Sequence, residues 1–135
     1  DVDGLPEKQC AAVKAAMERT KDNTGLKLNI ALNYGARAEI ARAARLLATR
    51  AAAGEIDPDA IDEKMFASSL YTADLPEVDL LIRTSGEERL SNFLLYQLAY
   101  AEFVFDPILW PDFDAEALDR DIAIFQKRQR RFGGR

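Results

Sequence analysis

The chain has 135 residues, with 18 basic and 23 acidic side chains for a formal net charge of −5, and is 48% hydrophobic. These values fit one soluble globular domain spanning 1–135 and exclude a general nucleic-acid binder, which needs a broad basic face. With no histidine and one cysteine, Cys10, the chain also excludes His-based acid–base and nucleophile chemistry, His- or thiolate-held zinc and a disulfide framework.

Any metal must therefore sit on oxygen ligands, which favours magnesium or calcium. No apolar run approaches the ~18 residues of a membrane span. No signal peptide is visible, and a lone cysteine fits a reducing compartment, so a cytoplasmic location is expected.

Pro6 precedes a helical stretch over about 7–21, with Cys10, Val13 and Met17 on one face. Asn23-Thr24-Gly25 stops it, with Gly25 as an αL cap. Residues 26–32 read as a strand, alternating at first and then apolar, as a strand covered on both faces does. Asn33-Tyr34-Gly35 breaks that strand, and a helix follows over about 38–53, with Ile40, Ala44 and Leu47 inward and Gly54 at its end. Asp57-Pro58 opens an acidic segment, and Asp62 caps a helix of about two turns near 62–70.

A loop with Pro76 leads into a second strand, 78–83, and a polar loop, 84–90. Residues 91–101 read as a third long helix, apolar nearly all round and therefore buried. A short strand, 103–105, a loop with two prolines, 106–113, and a helix capped by Asp114 over about 115–131 complete the chain. That last helix turns Leu118, Ile122 and Phe125 to the core and ends at Gly133-Gly134.

Alternating strands and helices imply an α/β fold with a parallel sheet covered by helices on both faces. Three strands are few for this class, and the chain opens at Asp1 directly into helix-like sequence. Further strands are expected upstream.

Arg83, Thr84 and Ser85 lie at the carboxyl end of a strand, where parallel sheets bind ligands. An arginine fork there matches phosphate or carboxylate oxygens, or else pairs with Glu87 or Glu88. Arg89, Leu90 and Ser91 stand at the expected helix start, where Ser91 is either a plain N-cap or part of an anion site. Glu102, among aromatic neighbours, is either salt-bridged to an arginine or a magnesium ligand. The basic tail 126–131 suits a helix C-terminus by its dipole, which leaves Arg131, Phe132 and Gly133 unexplained. Asn33-Tyr34-Gly35-Ala36-Arg37 follows a strand and precedes a helix but lacks dinucleotide-binding spacing.

The segment DLLIRTSGEERLSNFLLYQLAYAEF, 79–103, resembles the signature of the cis-prenyltransferase family. Trp110-Pro111-Asp112-Phe113, the stretch 28–35 and the stretch 20–26 resemble further blocks of that family, so the likeness runs over essentially the whole chain. The resemblance implies head-to-tail condensation of isopentenyl diphosphate onto an allylic prenyl diphosphate with magnesium, giving a long-chain, undecaprenyl-type diphosphate for a cell-wall lipid carrier. It further implies that Arg83, Arg89, Leu90 and Ser91 bind isopentenyl diphosphate and that Glu102 helps to hold Mg2+. Arg131 and Gly133 would match the family's C-terminal Arg-x-Gly motif, which reaches the other subunit of a homodimer. Transient membrane-surface association would come only through the product.

Two departures stand out. Ala36 replaces a glycine of the family's Asn-Tyr-Gly-Gly-Arg block, where its methyl could crowd the loop. No counterpart of the family's Asp-Gly-Asn-Gly-Arg motif, which supplies the catalytic aspartate and binds the allylic diphosphate, occurs in the 135 residues. The resemblance is thus to the C-terminal part of a synthase, carrying the isopentenyl-diphosphate half-site and inactive by itself; a non-catalytic partner subunit is the alternative.

Overall fold

A computed structural model describes residues 2–128, which fall into two compact units, Asp1–Gly35 and Ala36–Arg135. The first unit contains one helix, α1 (Glu7–Thr20). Pro6 occupies its N-cap position, and Glu7 and Arg19 complement the helix dipole at either end. No residue of α1 is buried, and Met17 is exposed. The expected αL cap at Gly25 is not formed, because Gly25 does not take a positive φ. The chain instead turns at Thr20, whose carbonyl accepts from Asn23 N–H at 3.0 Å.

Residues 26–32 do not form the expected strand. Leu26 and Leu28 are 93% and 77% exposed. A strand exists only as a rung in a ladder, and the described residues of this unit hold no second strand to pair with. Among the described residues the sheet therefore has two strands rather than three.

The second unit holds α2 (Ala36–Ala52), α3 (Glu63–Ala67), β1 (Leu80–Arg83), β2 (Glu102–Phe105) and α4 (Ala115–Gln126). Two short 3-10 turns, Pro58–Ala60 and Trp110–Asp112, lie in the connections. β1 and β2 pair in parallel, Leu80 opposite Glu102 and Arg83 opposite Phe105. The parallel pair with helices beside it is the expected α/β arrangement, although the crossover between the two strands carries no helix among the described residues. α4 packs on β2, and α2 on α3.

Helix boundaries follow the capping chemistry of the sequence. Asp62 Oδ1 accepts Met65 N–H at 2.7 Å and Asp114 Oδ1 accepts Ala117 N–H at 2.9 Å, each at a helix start. Gly54, at φ +72°, closes α2, with Glu55 N–H returning to Arg50 O at 3.0 Å.

The buried face of α2 runs Ala36, Glu39, Ala43, Leu47, rotated from the expected Ile40–Ala44–Leu47 stripe. Glu39 explains the rotation. It is 1% exposed and accepts from Tyr71 N–H at 2.7 Å and Gln97 Nε2 at 3.1 Å, so the helix turns its carboxylate inward. α4 shows the same effect: Ala117 and Asp121 are buried, while the expected Leu118 is 40% exposed.

Residues 91–101 form a series of turns rather than the expected long helix. Ser91, Asn92 and Leu94 take φ of 48°, 64° and 45°, outside helical space. A helix apolar all round gains its stability from being enclosed all round. Here Phe93, Leu95 and Tyr100 are exposed, and only Leu98 reaches the core. Among the described residues, no helix is long and apolar enough to cross a membrane.

Candidate functional site

Arg83 ends β1, at the carboxyl edge of the parallel pair. Its carbonyl accepts Asp106 N–H at 2.8 Å, which extends the ladder one rung past β2. The loop then turns through two left-handed residues, Ser85 at φ +68° and Gly86 at φ +64°. Ser85 N–H donates to Ile108 O at 2.7 Å and Gly86 N–H to Asp106 O at 3.0 Å. These donors are therefore spent on holding the loop to the segment after β2, and anion recognition at this edge falls to side chains.

Two clefts open here and share Ile82 and Arg83. The first, about 210 Å³, is lined by Leu81, Ile82, Arg83, Arg89, Leu90 and Phe93. The second, about 400 Å³, is lined by Ile82, Arg83, Thr84, Ser85, Trp110 and Phe113. The smaller lies below the usual range for a whole small-molecule ligand, and its two arginines suit a compact anionic head group. Trp110 stacks on Phe113 with ring centroids 6.0 Å apart, giving the larger cleft an aromatic wall beside Arg83.

Arg83 lines both clefts, and its Nε is buried without a hydrogen-bond partner among the described residues. Arg89 pairs with Glu87, yet its side chain stays 68% exposed, and an exposed pair of this kind contributes little and exchanges readily. Arg83, Arg89 and Leu90 thus line one cleft.

Ser91 lies beside them in sequence but starts no helix, so an anion site on a helix N-terminus is not what forms here. Asn92, not Ser91, does the capping. Its Oδ1 accepts Arg37 N–H and its carbonyl accepts Ala36 N–H, both at 2.9 Å, at the start of α2. Ala36 is fully buried at that start and does not take a positive φ, so its methyl is accommodated where the family pattern has glycine.

Glu102 is elsewhere. It opens β2 opposite Leu80, three rungs from Arg83, or roughly 10 Å along the strands. The pleat also sets it on the opposite face. It pairs with Arg128 at 3.0 Å, and Arg128 also donates to Phe103 O at 2.6 Å. Among the described residues, no group of three His, Cys, Asp or Glu side chains could hold a metal. One carboxylate is chemically sufficient for magnesium that keeps waters and phosphate oxygens. Its placement, however, does not serve a metal at the Arg83–Arg89 cleft of the same copy. Arg131 and Gly133 lie outside the described residues.

Beneath the loop sits a cluster of charged residues that sequence reading overlooked. Asp106 is 5% exposed; its Oδ1 accepts Ile108 N–H at 2.8 Å and its Oδ2 accepts from Arg120. The Ile108 N–H and the Arg120 guanidinium hold the Asp106 carboxyl below the usual carboxylate range, and Asp106 in turn raises Arg120. Asp121, 1% exposed, is raised by burial and then by the Asp106 charge beside it. The Asp106-Pro107 pair was a readable signal, since Asp before Pro favours a side-chain-capped turn.

The chain matches the family model described as "Putative undecaprenyl diphosphate synthase" over residues 1–133. It is 56% identical over 133 residues to an isoprenyl transferase of Halalkalibacterium halodurans, covering 98% of this chain and 52% of that one. It is 55% identical over 133 residues to a ditrans,polycis-undecaprenyl-diphosphate synthase, (2E,6E)-farnesyl-diphosphate specific, of Micrococcus luteus, covering 98% and 53%. The crystal structure of lavandulyl diphosphate synthase from Lavandula x intermedia, in complex with dimethylallyl diphosphate, superposes with a TM-score of 0.93 at 40% identity, covering 98% of this chain and 57% of that chain. The chain spans about half the length of the curated relatives it matches.

Proposed function

The chain belongs to the undecaprenyl diphosphate synthase family of prenyltransferases, and from that premise we propose that it carries the isopentenyl-diphosphate side of a cis-prenyl elongation site. The observation that carries this reading is the meeting of Arg83 and Arg89 in one small cleft at the carboxyl edge of the parallel pair, with Arg83 Nε buried and unpartnered. Two guanidinium forks on one compact cleft suit the adjacent oxygens of a diphosphate better than a single carboxylate.

In the proposed reaction, the allylic C–O bond breaks and its diphosphate leaves with the electron pair. The double bond of isopentenyl diphosphate supplies the new C–C bond, and a proton is then lost to re-form a double bond. Arg83 and Arg89 hold the isopentenyl diphosphate by its head group, so that its reacting carbon meets the allylic carbon in one orientation. Leu81, Ile82, Leu90 and Phe93 give the cleft apolar walls that strengthen the charge contacts by excluding water. Ser91 follows directly and adds a hydroxyl to the head-group contacts. Magnesium is proposed as a requirement for turnover, since a divalent cation neutralises diphosphate charge. No step is routed through Glu102, whose position is remote from this cleft. Pairing of two copies, with Arg131 and Gly133 reaching from one to the other, belongs to the same proposal, as does an undecaprenyl-type product.

The test is incorporation of labelled isopentenyl diphosphate into chain-extended products by the protein in its complete reading frame, with an allylic diphosphate as primer. Extension products that disappear on chelation with EDTA are expected. Absence of any incorporation with magnesium supplied would overturn the proposal.

A further inference from the structure

The loop that carries the substrate-side residues is not anchored by its own side chains. Every described main-chain tether runs to Asp106 or Ile108. Asp106 N–H donates to Arg83 O, Gly86 N–H to Asp106 O, and Ser85 N–H to Ile108 O. Asp106 Oδ1 takes the N–H of that same Ile108. One residue thus fixes the exit of β1, the left-handed turn after it and the turn after β2. Ser85 at φ +68° is a conformation that a residue with a Cβ adopts only when its surroundings enforce it.

The carboxylate of Asp106 is in turn held from α4. Arg120 donates to Oδ2. Asp121 interacts with it side chain to side chain, is 1% exposed, and has an Oδ2 with no hydrogen-bond partner among the described residues. A buried, ionised carboxylate in that position, facing a second carboxylate, would be strongly disfavoured. A neutral one has an O–H to give, and Asp106 has lone pairs left to accept it. The charged or titratable groups facing Asp121 are Asp106, from the exit of β2, and Arg120, from its own helix; Glu116 acts on Arg120.

We propose that Asp121 is a positioning residue: as a neutral acid it donates to Asp106, and through Asp106 it holds the loop after Arg83 in the shape that presents Arg83 and Arg89 to the isopentenyl diphosphate. The inference rests on the reading of that cleft given above. It assigns a role to a residue that touches neither cleft.

Asp121→Asn keeps an N–H donor for Asp106 at the same size, and Asp121→Leu removes the donor. In the protein's complete reading frame, hydrogen exchange at the Ser85 and Gly86 amides is expected to rise about tenfold or more in Asp121→Leu, while α2 amides stay at wild-type rates. The KM for isopentenyl diphosphate is expected to rise about tenfold with kcat within about twofold, and Asp121→Asn to restore both readouts. Unchanged loop exchange in Asp121→Leu overturns the proposal. So does faster loop exchange with a wild-type KM, because the loop would then be held without serving the site. Equal loosening of α2 overturns it too, in favour of a purely structural role. If the wild-type protein shows no use of isopentenyl diphosphate, the functional reading falls, and with it the role of Asp121 in substrate positioning; the exchange result then still shows whether the tether exists.

Discussion

Arg83 and Asp121 are opposite cases of a buried polar group. Arg83 is always charged, so it cannot shed its charge to meet the burial of its Nε. Asp121 can change its charge, and burial together with the Asp106 charge raises its carboxyl above the usual range. This distinction has a thermodynamic consequence. A carboxyl raised in the folded state binds more protons folded than unfolded, so Asp121 contributes stability in acid that is lost as pH rises from about 4 through its raised folded value. Asp106, held below its usual range by Ile108 and Arg120, acts in the other direction and loses its contribution only as pH falls below about 4. Urea unfolding across a pH series should therefore show a decline from about pH 4 upward in the wild type that Asp121→Asn abolishes. Parallel curves for the two proteins would contradict that reading of Asp121.

The same residues mark what the sequence could and could not reveal. Arg83 and Arg89 stood out because charged residues at the exit of an apolar strand have few structural reasons to be there, whereas Leu90 entered only through the family resemblance. Asp119-Arg120-Asp121 was not, because charges on a helix usually face water, and only the fold brings Asp106 beside Asp121.

At the level of elements, short-range chemistry was readable and long-range enclosure was not. Asp62, Asp114 and Gly54 cap helices within a turn of themselves, and the structure follows them. Stretches 26–32 and 91–101 depend on neighbours that the described residues do not supply, and neither forms its expected element. Within 91–101, Asn92 takes on a different task, closing the N-terminus of α2 from 55 residues away. Its φ of 64° matters as much as its side chain. Asn92→Ala loses the cap and also the polar side chain that lets a residue with a Cβ tolerate left-handed space, for an expected cost of roughly 2–3 kcal/mol. Asn92→Gly loses only the cap and should cost about 1 kcal/mol. Thermal or chemical unfolding that ranks the two equally would show that the backbone conformation is not what Asn92 supplies.

At the scale of the whole molecule, the chain is an α/β segment that matches about half the length of its relatives. It brings Arg83 and Arg89 to a shared cleft, and its 135 residues hold no recognisable counterpart of the aspartate motif that the family resemblance leads one to expect. The 135-residue chain assayed by itself should therefore give no prenyl transfer, and measurable product from it would contradict the half-site reading. The placement of Glu102, on the far end and opposite face of the strand pair from Arg83, was invisible in sequence, because only the register of a parallel ladder reveals it.

The central claim, that Arg83 grips isopentenyl diphosphate, is tested most directly by the kinetics of Arg83→Ala in the protein's complete reading frame. We expect kcat/KM for isopentenyl diphosphate to fall by about 10²-fold or more, as loss of a charge-assisted contact in a water-poor cleft implies, with the KM for the allylic primer little changed. Wild-type kinetics for isopentenyl diphosphate in Arg83→Ala would contradict the assignment.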